Sequence, residues 1–197
     1  LRITNVSKTF GHGHEATIAL QDVSLTVRAG EFVTVVGASG CGKSTLLNLI
    51  ADLDKPTSGT LEVGSKTAFM FQEATLLPWM TARQNVELAL KLAKVPKSKR
   101  PARAEELLET VRLEGWGDKR PHELSGGMRQ RVALARCLAQ DAGIVLMDEP
   151  LGALDADARV EAGRVEPAEL DHLGVDIDIK FAGHAVDAER VLLGGAL

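Results

Sequence analysis

One octapeptide constrains this chain more than anything else in it. Gly37-Ala38-Ser39-Gly40-Cys41-Gly42-Lys43-Ser44 fits the pattern G-x-x-x-x-G-K-S/T at every fixed position. Glycines at those positions let the backbone curl so that successive N–H groups face a phosphate, and a helix that follows adds the positive end of its dipole. Lys43 is placed to reach the β- and γ-phosphates of a nucleotide, and the Ser44 hydroxyl to ligate Mg²⁺, with Thr45 continuing the helix start. With glycine at about 7% of residues, a chance match in a chain of this length is on the order of one per cent. The flanks agree with the motif. Phe32 to Val36 is a continuous apolar, β-branched run that suits a strand buried on both faces of a parallel sheet, and Ser44 to Ala51 repeats apolar residues at helical spacing. Cys41, inside the loop, reads as a small filler.

A second acidic strand end goes with the loop. Ile144 to Met147 is a short buried run that closes on Asp148-Glu149-Pro150. An Asp at such a strand end holds Mg²⁺ in nucleotide-hydrolysing phosphate-loop enzymes. A carboxylate next to it, here Glu149, is placed to polarise an attacking water as general base.

The rest of the chain alternates between the two periods. Leu1 to Val6 and Val23 to Val27 alternate apolar and polar as half-buried strands do, and Ala68-Phe69-Met70-Phe71 is a short apolar run ending at Gln72. From Thr81 to about Arg112 the period is helical: Val86, Leu88, Leu90, Leu92 and Ala93 form one amphipathic segment, and Leu107, Leu108 and Val111 another. Lys94 to Arg103, basic and holding Pro96 and Pro101, separates them as a solvated loop, with contact to acidic lipid or a partner as the lesser reading. Gly126 to Gln140 is helical again. Alternating strands and helices give an α/β core, with residues 73–140 as an inserted helical lobe.

Composition narrows the class. Of 197 residues, 45% are hydrophobic and 25% charged, a globular balance, and no run approaches the roughly 20 apolar residues that span a bilayer. A net charge of −4 offers no broad basic footprint, so no nucleic-acid partner is expected. Two cysteines, Cys41 and Cys137, suit a reducing compartment. Leu1 to Phe10 lacks the pattern of a secretory leader, and Leu1 in place of Met suits a numbering that begins inside a longer gene product.

Leu124-Ser125-Gly126-Gly127-Met128-Arg129-Gln130 resembles the Leu-Ser-Gly-Gly-Gln signature of ATP-binding cassette (ABC) ATPases, with Met128 where Gln is usual. Two glycines at a helix start leave N–H groups bare for a γ-phosphate, and Ser125 adds a hydroxyl. The resemblance implies a phosphate-loop NTPase fold with a parallel-sheet core, an N-terminal antiparallel β-subdomain and an inserted helical subdomain, all within a single domain over 1–197. It implies ATP and Mg²⁺ as cofactors, and a head-to-tail dimer in which Ser125, Gly126, Gly127 and Met128 of one subunit cover the nucleotide held by the other.

Further family marks follow in order. Gln72 matches the glutamine that reaches Mg²⁺ and the attacking water. Asp155, in Leu151-Gly152-Ala153-Leu154-Asp155, matches the loop that crosses to the other subunit. Phe10, followed by Gly11, stands where the family stacks an aromatic on adenine, and His184 matches the histidine that contacts the γ-phosphate. Phe71-Gln72-Glu73-Ala74-Thr75-Leu76-Leu77-Pro78-Trp79 is similar to importer ATPases for nitrate, sulfonate and taurine. That implies an ATP-hydrolysing subunit, peripheral on the cytoplasmic face of the membrane, with separate permease subunits and, indirectly, a substrate-binding protein. Pro78 and Trp79 would then line the groove that receives the permease, or else form a packed loop with a buried Trp.

The chain departs from the family between Leu61 and Phe71, where Gly64-Ser65-Lys66-Thr67 joins two strands tightly, and after Asp155. Gly163 and Pro167 interrupt an expected helix, Val175 to Phe181 alternates where a buried strand is continuously apolar, and Gly183 and Ala185 flank His184 in place of Thr and Asp. Either this third is degenerate, with weakened hydrolysis, or the sequence over it is incomplete. The competing functions are a non-transport ABC-type ATPase and a nucleotide-binding regulatory module with impaired hydrolysis.

Overall fold

The computed structural model describes residues 1–35, 37–148 and 193–194. The described chain divides after Thr67 into two compact units, each taken here by itself. In the first, β1 (Arg2–Phe10), β2 (Thr17–Thr26) and β3 (Ser58–Glu62) form an antiparallel sheet in the order β2-β1-β3. Ile3 lies opposite Leu25 and Leu61, and Val6 opposite Val23. Ile3, Val6, Leu20, Val23 and Leu25 are buried, as the period-2 pattern predicts for one covered face. The register shifts after Ile3, where Asn5 adopts a left-handed φ of 47°. β3 approaches β1 so closely there that a Cβ on Gly59 would lie 2.3 Å from the Asn5 carbonyl oxygen. α1 (Lys43–Ile50) buries Leu46, Leu47, Leu49 and Ile50.

Phe32 to Val35 behaves differently from its composition. Among the described residues of that run only Thr34 makes a bridge, and Phe32 is 65% exposed while Val33 is buried. β-branched residues favour a strand only through side-chain packing and burial against neighbours, and the described residues supply no continuous ladder partner for this run.

The second unit begins within β4 (Thr67–Met70), which the four residues 63–66 join to β3. β4 lies beside β5 (Ile144–Met147) in a parallel sheet, and the Asp148 N–H continues the ladder to the Met70 carbonyl at 3.0 Å. Three helices lie between them in sequence: α2 (Ala82–Leu92), α3 (Arg100–Thr110) and α4 (Gly126–Leu138). α2 starts on a capping box. The Thr81 hydroxyl accepts from the Gln84 N–H, and the Gln84 side chain accepts from the Thr81 N–H. The linker is shorter than Lys94 to Arg103. α3 begins at Arg100 with Pro101 in its first turn, where a missing N–H costs nothing. Lys94, Lys97 and Lys99 are solvated as expected.

α4 is apolar on two faces. Val132, Ala135 and Ala139 join Val86, Leu90, Leu107, Leu108 and Leu113 in the helical core, whereas Ala133 and Cys137 pack with Ala68, Met70 and Val145 of the strands. Arg83 fastens the outside, donating to Glu105 at 2.9 Å and Asp118 at 2.8 Å. Leu108 is fully buried in the helical core. Leu108→Ala is therefore expected to lower unfolding free energy by about 2–5 kcal/mol in a urea titration read by circular dichroism.

Candidate functional site

The phosphate loop is built by glycine. Gly42 caps α1 in the left-handed conformation, at φ 101° and ψ 5°, and offers no side-chain cap. The N–H groups of Lys43, Ser44 and Thr45 at the first turn are therefore left for a ligand, with the helix dipole behind them. Only glycine suits the position: a Cβ there would lie 2.4 Å from the Ala19 carbonyl oxygen on β2. Gly40 is also left-handed, at φ 79°, and the Cys41 N–H closes a turn on the Ala38 carbonyl at 3.2 Å. Lys43 reaches back over the loop. Its Nζ donates to the carbonyls of Gly37 at 2.8 Å and Ala38 at 3.0 Å, and lies 3.9 Å from Cys41 Sγ. The ammonium is thus held at the mouth of the loop by neutral acceptors, contacts that an anionic phosphate oxygen can replace with an ion pair. Ala38, Ser39, Gly40 and Ser44 are exposed. These residues fit an anionic phosphate chain.

Phe10 ends β1 and is 45% exposed, with Lys8 Nζ 4.9 Å from its ring centroid. Lys8 is itself fixed by Asp54 at 2.6 Å and the Lys55 carbonyl at 2.8 Å, and that bond holds the Asp54 carboxyl below its usual range.

In the second unit the structure brings Gln72 and Asp148 to one edge. They follow β4 and β5, neighbouring parallel strands, at the carboxyl ends where ligands of α/β sheets bind. Mg²⁺ takes one or two protein oxygens and completes its shell with water and phosphate, so a hydroxyl such as Ser44 and a carboxylate such as Asp148 are the right donor types. Glu149, Asp155 and His184 lie outside the described residues.

α4 starts at Gly126 on the N-cap Ser125, whose Oγ accepts from the Met128 N–H at 3.2 Å. The cap therefore uses the Met128 N–H, and leaves the N–H groups of Gly126 and Gly127 and the Ser125 O–H proton for a ligand. Trp79 is 67% exposed, which excludes the packed loop with a buried Trp.

Three supporting residues were not legible as such in the sequence. Asn85, fully buried on α2, accepts from the Leu77 N–H at 2.9 Å and donates to the carbonyls of Leu77, Met80 and Thr81, which shapes the loop that presents Trp79. Gln130, buried on α4, donates from Nε2 to the Gln72 carbonyl at 3.2 Å. Arg136 donates to the carbonyls of Ala74 and Thr75 and to the Thr75 hydroxyl, and burial pulls its guanidinium below its ordinary value. Each has a weak sequence signal, a polar residue at helical spacing with buried apolar ones: Asn85 with Ala82 and Ala89, Gln130 with Ala133 and Cys137.

The family model described as ABC transporter matches residues 20–152. The chain is 50% identical over 162 residues to the aliphatic sulfonates import ATP-binding protein of Bacillus licheniformis, covering 77% of this chain and 62% of that one. It is 44% identical over 192 residues to the spermidine/putrescine import ATP-binding protein of Chromobacterium violaceum, covering 92% and 51%. Proteins named for nitrate and taurine import match at 46% identity. The chain thus spans between half and two thirds of the length of these curated relatives. A solved ATP-binding cassette, dimeric, in a post-hydrolysis state and bound to ADP and phosphate, superposes with a TM-score of 0.71 at 40% identity, covering 79% of this chain and 76% of that one.

The two cysteines give a local test of the loop. Burial pushes the Cys137 thiol up to about 11, so it stays protonated at pH 8, whereas Cys41 is partly exposed beside Lys43. Iodoacetamide at pH 8 is expected to label Cys41 alone, read by peptide mass, and Mg-ATP to suppress that labelling. Gly42→Ala is expected to weaken binding of a fluorescent ATP analogue by more than about 100-fold, because left-handed strain and the contact with Ala19 both oppose the loop.

Proposed function

The chain belongs to the ABC transporter family, and from that premise we propose that it is the ATP-binding and ATP-hydrolysing subunit of an importer. The observation that carries the reading is the uncapped α1 start at left-handed Gly42 with Lys43 held over the loop mouth. Gly37 to Thr45 bind the phosphates of ATP, and Phe10 stacks on the adenine. Ser44, Gln72 and Asp148 hold Mg²⁺. When bound, that ion neutralises phosphate charge and aligns the γ-phosphoryl group for in-line attack. Glu149 takes the proton of the attacking water, Gln72 orients that water, and Lys43 and His184 stabilise charge on the γ-phosphate.

A second copy of the chain completes the site. Its Ser125, Gly126, Gly127 and Met128 cover the γ-phosphate and its Asp155 crosses between subunits, a reading supported by the bare N–H groups at the α4 start and by the dimeric, ADP-bound neighbour. Residues 73–140 form the helical lobe of one cassette domain over 1–197. Closure of the dimer drives separate permease subunits through the exposed Trp79 loop, and a substrate-binding protein delivers the solute to that permease. The subunit works peripherally on the cytoplasmic face. A small anion such as nitrate, a sulfonate or taurine is the solute that the Leu76-Leu77-Pro78-Trp79 run and the 46–50% identities favour. A relative named for spermidine/putrescine import supports a solute chosen by the permease and substrate-binding protein and not by the cassette.

The departures at Gly163, Pro167, Gly183 and Ala185 favour a second reading, a nucleotide-binding module with impaired hydrolysis. Glu149→Gln separates the two. With a working general base, the substitution keeps ATP binding and lowers phosphate release by about 10²–10⁴-fold. Turnover equal to wild type removes Glu149 from that role.

A further inference from the structure

Gln130 holds a half-paired amide in a buried place. Its Nε2 donates to the Gln72 carbonyl at 3.2 Å, while its Oε1 is fully buried and meets no donor among the described residues. A buried unpaired acceptor is destabilising, and an apolar side chain of the same length would fill the space without that cost. Packing therefore does not account for glutamine here, whereas the donor half does a definite task. Arg136, six residues further along α4, donates to Ala74 and Thr75. The segment from Gln72 to Thr75 is thus fastened to α4 at both ends. α4 is the same rigid helix whose start carries Ser125, Gly126 and Gly127.

We infer that Gln130 is a positioning residue for Gln72: its amide donor fixes the Gln72 backbone to α4, so that Gln72 and the glycine start of α4 keep one spacing and move together. This rests on the ATPase reading above. Gln72 is the residue whose placement decides whether water is aligned for attack, while Gly37 to Thr45 hold the nucleotide without it. Gln72 is one of several Mg²⁺ ligands in that reading, so loss of the Gln130 donor acts on turnover far more than on affinity.

Two variants of the full chain test this with phosphate-release kinetics. Gln130→Met removes donor and orphan acceptor together. Its melting temperature is expected to equal or exceed wild type, its KM for Mg-ATP to stay within about threefold, and its kcat to fall by about 10- to 100-fold. Gln130→Asn keeps a buried amide but shortens it by one methylene, so its donor no longer reaches the Gln72 carbonyl, and kcat is expected to fall by about 10- to 100-fold with KM within about threefold. That variant decides the matter if the methionine variant does not fold. A wild-type kcat in whichever variant folds overturns the inference, while an active wild type leaves the ATPase reading standing. An inactive wild type overturns the ATPase reading, and this inference with it.

Discussion

A helix that begins on glycine has no side chain with which to satisfy its own first N–H groups, and the chemistry of this chain depends on that deficit. At α1 the deficit is complete, because Gly42 is left-handed and a Cβ would collide with the Ala19 carbonyl. At α4 it is partial, because Ser125 satisfies the Met128 N–H alone. Among the described residues both helix starts keep donors that have no partner, and in both the dipole favours an anion. The sheet of the first unit supports this arrangement by placing β2 under Gly42, so the loop conformation is imposed by packing as well as allowed by glycine.

α4 is the element on which the second unit converges. One face completes the helical core with Leu90, Leu108 and Leu113, and another completes the strand cluster with Met70 and Val145. Between these faces it carries the polar side chains that order the segment after β4. Gln130 and Arg136 pair with backbone carbonyls of residues 72–75, and Asn85 on α2 does the same for residues 77–81. An irregular connection of this length survives because buried side chains satisfy its backbone groups in place of a ladder.

Much of this was legible in the residues. The phosphate loop is local, so eight consecutive residues and their flanks define it, and the helical stretches from Thr81 to about Arg112 and from Gly126 to Gln140 follow from apolar spacing. The parts that were not legible depend on distant partners. Phe32 to Val35 has strand composition, yet the described residues give it only the Thr34 bridge. Pro101 reads as a loop residue but occupies a first helical turn, where proline is favoured. Gln130 entered the sequence reading as a pattern position, and only the fold shows that its amide meets the Gln72 carbonyl 58 residues away in sequence.

The central claim is that this chain hydrolyses Mg-ATP at a site shared between two copies of itself. Steady-state phosphate release measured against protein concentration tests it most directly. Specific activity should rise with concentration and saturate as the dimer fills if each phosphate loop needs the α4 start of a partner. Phosphate release that is absent at every concentration, or a specific activity that stays constant down to the dilution where the chain sediments as a monomer, would contradict it.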